Sequence, residues 1–183
     1  MFKNKIGYSF LSGVLLALSF PPFDFGWLSY VALIPLIFAL EDVSYYQVCI
    51  IAMVFSSVFT IGILYWIYIY HFLALPGILL FFNLFFIVFF LIYVFVARRL
   101  VYIDVFLFPI LWTVTEYARS SGDFGFPWGV ISYTQYKFLQ LIQISDIIGV
   151  FGISFIVCLF NSVIAFIILS RFKNNRLIIQ SVF

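Results

Sequence analysis

Residues 76–97 read PGILLFFNLFFIVFFLIYVFVA, from Pro76 to Ala97, and Arg98-Arg99 follow at once. The run contains no charged residue. A helix needs about 20 apolar residues to cross the hydrocarbon core of a bilayer. In lipid it must also satisfy its own backbone, which an α-helix does. The stretch therefore predicts a membrane-spanning helix, stopped by the arginine pair. Asn83, its mid-run polar residue, is expected to hydrogen-bond to a neighbouring helix.

Working outward from this run, similar segments recur. Spans are expected near 6–20, 26–40, 46–70, 101–118 and 147–170. With 76–97 they make an all-α polytopic transmembrane bundle of about six spans, forming one domain over residues 1–176. The first two are short. Pro21-Pro22 ends the first, because proline removes a donor and clashes with the preceding turn. Pro35 lies inside the second, and the pair reads as a helical hairpin turned by Pro21-Pro22-Phe23-Asp24-Phe25-Gly26. Lys3 and Lys5 before Ile6–Phe20 resemble a signal peptide, but Pro21–Asp24 replaces a small-residue cleavage site, so a retained helix is expected. The third ends in Tyr65, Trp66, Tyr68, Tyr70 and His71, an interfacial aromatic belt. Residues 177–183 turn apolar again and are expected to begin a seventh, truncated helix.

Composition agrees. Of 183 residues, 66% are hydrophobic and 9% are charged, against roughly 25% charged in soluble domains. No basic patch suggests nucleic acid. Cys49 and Cys158 lie in apolar runs and read as small buried side chains. With one histidine and no ligand spacing, no metal site and no cofactor are expected.

Lysine and arginine placement sets an orientation. With six spans and a cytoplasmic N-terminus, Lys3, Lys5, Arg98, Arg99, Arg171, Lys173 and Arg176 fall inside, and Arg119 and Lys137 outside. Residues 120–145 then face outward. Their glycines and Pro127 argue against continuous helix, and their aromatics against a free solvated loop. A partly re-entrant segment is expected, since irregular backbone survives at membrane depth only when protein or a wet cavity satisfies it. Glu116 and Arg119, three residues apart, share a helix face. They are either a structural ion pair pinning the helix end to the loop or a charged feature of an outer cavity. Asn161 is expected to bond between helices, and Gly7, Gly13, Gly149 and Gly152 to allow close helix contact.

Five stretches in order resemble the apolipoprotein N-acyltransferase family. They are Leu18–Trp27 (LSFPPFDFGW), Gly62–Tyr68 (GILYWIY), Pro109–Arg119 (PILWTVTEYAR), then Gly125–Trp128 (GFPW) with Tyr133-Thr134-Gln135, and Ile148–Phe155 (IGVFGISF). The resemblance implies an enzyme of the bacterial inner (plasma) membrane. It moves an acyl chain from a phospholipid to the N-terminal diacylglyceryl-cysteine of a lipoprotein, through a cysteine thioester. It also implies that the catalytic Glu, Lys and Cys lie in a nitrilase-like domain that is missing here. On that reading no catalytic residue falls in this chain, which is inactive alone. Phe126, Pro127, Trp128 and Tyr133, with Gln135 beside them, become candidates to line a lateral portal for acyl chains. Glu116 and Arg119 become candidates to hold the loop or meet a headgroup. The alternatives are a small membrane transporter, which predicts repeats or broken helices at the midplane, and a non-enzymatic membrane scaffold.

Overall fold

A computed structural model describes residues 2–99, 104–123 and 125–180, the side chains of Asp104 and of residues 171–180 excepted. Among these residues the regular structure is entirely helical. It consists of α1 (Phe2–Leu18), a 3-10 helix (Gly26–Tyr30), α2 (Ile34–Ala39), α3 (Tyr45–Leu64), a second 3-10 helix (Tyr65–Ile69), α4 (Ala74–Ala97), α5 (Asp104–Ser120), a third 3-10 helix (Ile131–Gln135), α6 (Leu139–Ile142) and α7 (Ser145–Gln180). Three stretches, Tyr45–Ile69, Ala74–Ala97 and Ser145–Ser170, are long and apolar enough to cross a membrane. The chain is an all-α membrane protein.

The core is aromatic. α3 packs between α1 and α4, while α5 packs on α7 and α4. Phe55 meets Phe86 edge-on at 5.2 Å and Trp112 at 6.0 Å, and Phe89 meets Trp112 at 5.7 Å. Edge-to-face rings at these separations add roughly 0.5–1.5 kcal/mol per pair beyond area burial. The α1–α3 contact is closer than larger residues permit. A Cβ on Gly62 would lie 2.5 Å from that of Ala17, and one on Gly13 would meet the Phe55 carbonyl at 3.0 Å. Small residues at a crossing bring lipid-embedded helices into van der Waals contact. Gly7, by contrast, faces open space, and Gly149 adopts φ 70° where α7 is interrupted rather than packing on a neighbour.

Helix bounds differ from expectation where local chemistry competes. Residues 26–40 form two pieces instead of one helix, because Pro35 sits in the first turn of α2 and cannot continue a helix from before it. α3 starts one residue after Ser44, whose hydroxyl accepts from Gln47 N (3.3 Å) while the Gln47 side chain accepts from Ser44 N (3.0 Å). This reciprocal cap satisfies two orphan donors. α7 runs on through Leu177 to Gln180, so the apolar turn expected to open a new helix continues the existing one, with no proline or glycine between. Residues 101–103 and 181–183, and the side chains of Arg171, Lys173 and Arg176, lie outside the described residues.

The buried break between the pieces of 26–39 has its backbone partnered from α7 and α1. Asn161 Oδ1 accepts from Leu33 N (2.9 Å), and its Nδ2 donates to the carbonyls of Ser29 (2.8 Å) and Val157 (2.9 Å). The Ser12 hydroxyl donates to the Ala32 carbonyl. Asn83 Nδ2 donates to Ser57 Oγ (3.2 Å), joining α4 to α3 as expected.

Among the described residues, charged side chains bond at both ends of the bundle. At one end Lys5 Nζ donates to the Glu41 and Asp42 carbonyls, and Arg98 donates to the Val43 carbonyl beside the Tyr45 ring. At the other end the 19–25, 65–73 and 120–145 connections gather.

Candidate functional site

Residues 120–123 and 125–138 fold over the end of the bundle, and two buried charged side chains hold them there. Glu116 is 4% exposed and Arg119 is 2% exposed. Glu116 Oε1 accepts from the indole Nε1 of Trp112 (2.9 Å) and from the backbone N of Ile131 (2.8 Å). Arg119 Nη1 donates to the Phe126 carbonyl (2.8 Å) and to the Trp128 carbonyl, and its guanidinium lies 4.5 Å over the Phe82 ring. The Arg119 carbonyl in turn accepts from Phe126 N (2.8 Å). The two side chains thus pin the backbone of this segment from both flanks. They do so by bonding to backbone, and the one ion pair within 4 Å among the described residues is elsewhere, between Lys137 and Asp24.

Gln135 is a third anchor, 1% exposed. Its Nε2, with two hydrogens, lies within hydrogen-bond reach of three acceptors, the Gly26 carbonyl (3.1 Å), Ser29 Oγ (2.9 Å) and Thr134 Oγ1 (2.6 Å). This ties the third 3-10 helix to the broken 26–39 segment. Outside the helices, Asp24 accepts from Tyr136 Oη (2.9 Å) and Lys137 Nζ (2.9 Å). The Lys137 hydrogen bond, chiefly, holds the Asp24 carboxyl below its ordinary range, and the Asp24 hydrogen bond raises the Lys137 ammonium.

Between the 120–138 segment and the ends of α1 and α3 lies a groove of about 580 Å³. It is lined by Phe20, Pro21, Ile63, Leu64, Trp66, Trp128, Gly129, Tyr133 and Tyr136. Its walls are almost wholly aromatic and aliphatic. Trp66 and Trp128 lie 4.8 Å apart, and Phe126 packs on Trp128 at 5.6 Å and on Phe82 at 6.0 Å. Gly129 takes φ 73°, and a Cβ there would lie 2.7 Å from Ile63 Cδ1, so only glycine lets the loop settle this close to α3.

The residues singled out in the sequence therefore divide by role. Trp128 and Tyr133 line the groove. Phe126 supports its wall from behind, and Pro127 stands exposed at the tip of the loop. Glu116, Arg119 and Gln135 are anchors that do not face the groove. Sequence reasoning missed Phe20, Pro21 and Tyr136 as lining residues. Trp66 reads in the sequence as part of an aromatic belt and of the family-like stretch Gly62–Tyr68, without a lining role, and its clustering with Tyr65 and Tyr68 is the available signal. His71 is exposed and accepts from Leu73 N (3.2 Å). Cys49 and Cys158 are both free thiols.

A helical membrane bundle whose irregular end segment covers an aromatic groove is the class that fold and site define. Residues 12–163 match the family model described as the apolipoprotein N-acyltransferase N-terminal domain, and the chain belongs to that family. It is 36% identical over 164 residues to the apolipoprotein N-acyltransferase of Geobacter metallireducens, a match covering 84% of this chain and 32% of that protein. It is 29% identical over 187 residues to apolipoprotein N-acyltransferase 1 of Treponema denticola, covering 90% of this chain and 31% of that protein. A shorter stretch of 68 residues is 44% identical to the enzyme of Borreliella burgdorferi, covering 37% of this chain and 13% of that protein. The chain spans about a third of the length of the relatives that match most of it.

Proposed function

We propose that these 183 residues are the membrane platform of an apolipoprotein N-acyltransferase, the enzyme that moves an acyl chain from a phospholipid to the N-terminal diacylglyceryl-cysteine of a lipoprotein. The aromatic groove carries this reading. It opens at the end of the bundle, is walled by Trp66, Trp128, Tyr133 and Tyr136, and offers an acyl chain a nearly uncharged channel. Its apolar lining suits a flexible hydrocarbon, and its aromatic residues suit the bilayer interface. Glu116, Arg119 and Gln135 keep the groove shaped by fixing the loop that forms one wall.

The acyl-transfer chemistry belongs outside these residues. Cys158 is buried in α7, and Cys49 is half-buried in α3. A nucleophilic thiolate needs an electropositive, accessible setting, and neither cysteine has one. The N-terminus faces the cytoplasm of a bacterial inner membrane, which places Lys3, Lys5, Arg98 and Arg99 inside and the groove outside, in accord with the positive-inside bias.

The test uses a bacterium depleted of its own acyltransferase. The 183-residue chain alone leaves lipoproteins diacylated. Joined to the C-terminal part of the Geobacter relative, it restores the third acyl chain, read by mass spectrometry of lipoprotein N-terminal peptides. Restoration by the short chain alone sinks the division of labour. Unchanged acylation rates in the fusion carrying Trp128→Ala with Tyr133→Ala sink the role of the groove.

A further inference from the structure

The aromatic groove has an open rim and a closed floor. Trp128, Tyr133 and Tyr136 at the rim are 42–46% exposed, whereas Phe20, Ile63 and Leu64 at the floor are no more than 7% exposed. A chain that enters the groove therefore meets close packing at its far end. The floor is stiff. Phe20 leans on the Phe59 ring at 5.6 Å, and Phe59 meets Phe82 and Phe86 at 6.4 Å each. An interior packed in this way yields to an added methylene only at the cost of strain.

Ile63 holds the decisive place on that floor. It stands in the last turn of α3. Its Cδ1 lies 2.7 Å from where a Gly129 Cβ would stand, so the side chain reaches from α3 to the loop and closes the gap between the two walls. Branching at Cβ leaves it little freedom to swing aside. The Ile63 carbonyl accepts from Trp66 Nε1 (3.1 Å), which fixes the rim to the floor at a set separation.

We propose, on the reading of this groove as an acyl channel, that Ile63 is its specificity-determining residue, the stop that sets the length of acyl chain the groove accepts. The chain enters methyl end first and its polar end stays at the rim. Each methylene buried favours binding until the terminal methyl meets Ile63. The next one must overpack the floor or leave part of the chain outside. An optimum of length results, and an apolar pocket discriminates a single methylene by about tenfold or more.

Unbranched fatty acids of graded length, each with a diazirine at its terminal carbon, test this on the purified 183-residue chain. After illumination, peptide mass spectrometry reads where each chain end lands. Labelling of Phe20, Ile63 and Leu64 is expected to peak at one chain length. Ile63→Ala removes the stop and leaves space beneath it. The peak should then move to chains longer by about two carbons, with roughly a tenfold rise in floor labelling by the first length beyond the parent optimum. Ile63→Val should move the peak the same way by less, and it keeps the test valid if the alanine variant fails to fold. Ile61→Ala, at an exposed position on the same helix, should leave the peak in place. A floor labelled equally at every length overturns the proposal. So does a peak unmoved by the Ile63 variants, or one moved as far by Ile61→Ala. Those outcomes leave the groove an acyl channel, whereas label that falls on none of Phe20, Ile63, Trp128 and Tyr133 removes that reading and the stop together.

Discussion

The carboxylate of Glu116 accepts from the backbone N–H of Ile131 at 2.8 Å, across fifteen residues of chain. This bond stops α5 from being a free helix end and turns the following segment back over the bundle. The same oxygen accepts from Trp112 Nε1, so one carboxylate organises both the helix and the return of the loop.

Removing Glu116 should be costly. Glu116→Ala strands two buried donors, the Trp112 indole and the Ile131 amide, at about 1–3 kcal/mol each. Glu116→Gln keeps an acceptor oxygen and should lose far less. Thermal unfolding in detergent, followed by tryptophan fluorescence, should rank the parent chain above Glu116→Gln and both well above Glu116→Ala. Equal midpoints for the two variants would show that the carboxylate does not hold the loop.

Arg119 should tolerate no cationic substitute. Its planar fork reaches the carbonyls of both Phe126 and Trp128 while stacking on Phe82. A lysine supplies charge without that geometry. Arg119→Lys is expected to raise amide hydrogen exchange in the 125–130 segment, with α3 and α4 unaffected. Protection equal to that of the parent would refute the clamp.

Asn161 should matter through both ends of its amide. Asn161→Leu leaves the Leu33 N–H and the Ser29 carbonyl unpaired inside the bundle, and a loss of roughly 2–5 kcal/mol is expected. Asn161→Asp keeps the acceptor for Leu33 but loses the donor to Ser29 and Val157, and it should fall between the two. The measurement is again the unfolding midpoint.

The α1–α3 crossing should reject bulk. Gly62→Val places side-chain atoms where Ala17 already stands. Overpacking of this kind costs about 1–3 kcal/mol. The double variant Gly62→Val with Ala17→Gly should recover part of the loss, which a substitution acting only through helix propensity would not.

The Asp24–Lys137 clamp has a defined pH window. Asp24 is shifted down, so its contribution is present above the ordinary carboxylate range and fades as pH falls through its lowered value. Lys137 is shifted up, so its contribution is present below the ordinary lysine range and fades as pH rises through its raised value. Between roughly pH 5 and 9 both are charged, and the clamp should be insensitive to pH but weakened by salt. Comparing Asp24→Asn with the parent across pH and ionic strength checks this. A difference between the two that changes from pH 6 to pH 8 would contradict it.

Much of this protein was legible in its residues one after another. Apolar runs such as 76–97 announce helices long and apolar enough to cross a membrane, because lipid leaves the backbone no other partner. The charge-poor composition, the irregularity of 120–145 and the family stretches followed from local chemistry too. Bonds between distant residues were not legible. Glu116 and Arg119 share a helix face, and spacing alone offered them to each other as an ion pair. The fold instead gives each a set of loop backbone groups that lie closer. Pro35 announced a weakness in the second apolar run, but not that Asn161, over a hundred residues away, would satisfy the break. Asp24 and Lys137 likewise meet only because the first turn and the loop after α5 come to the same end of the bundle. Periodicity and composition act within a few turns of helix. Hydrogen bonds between helices depend on which faces become neighbours, and only tertiary packing decides that.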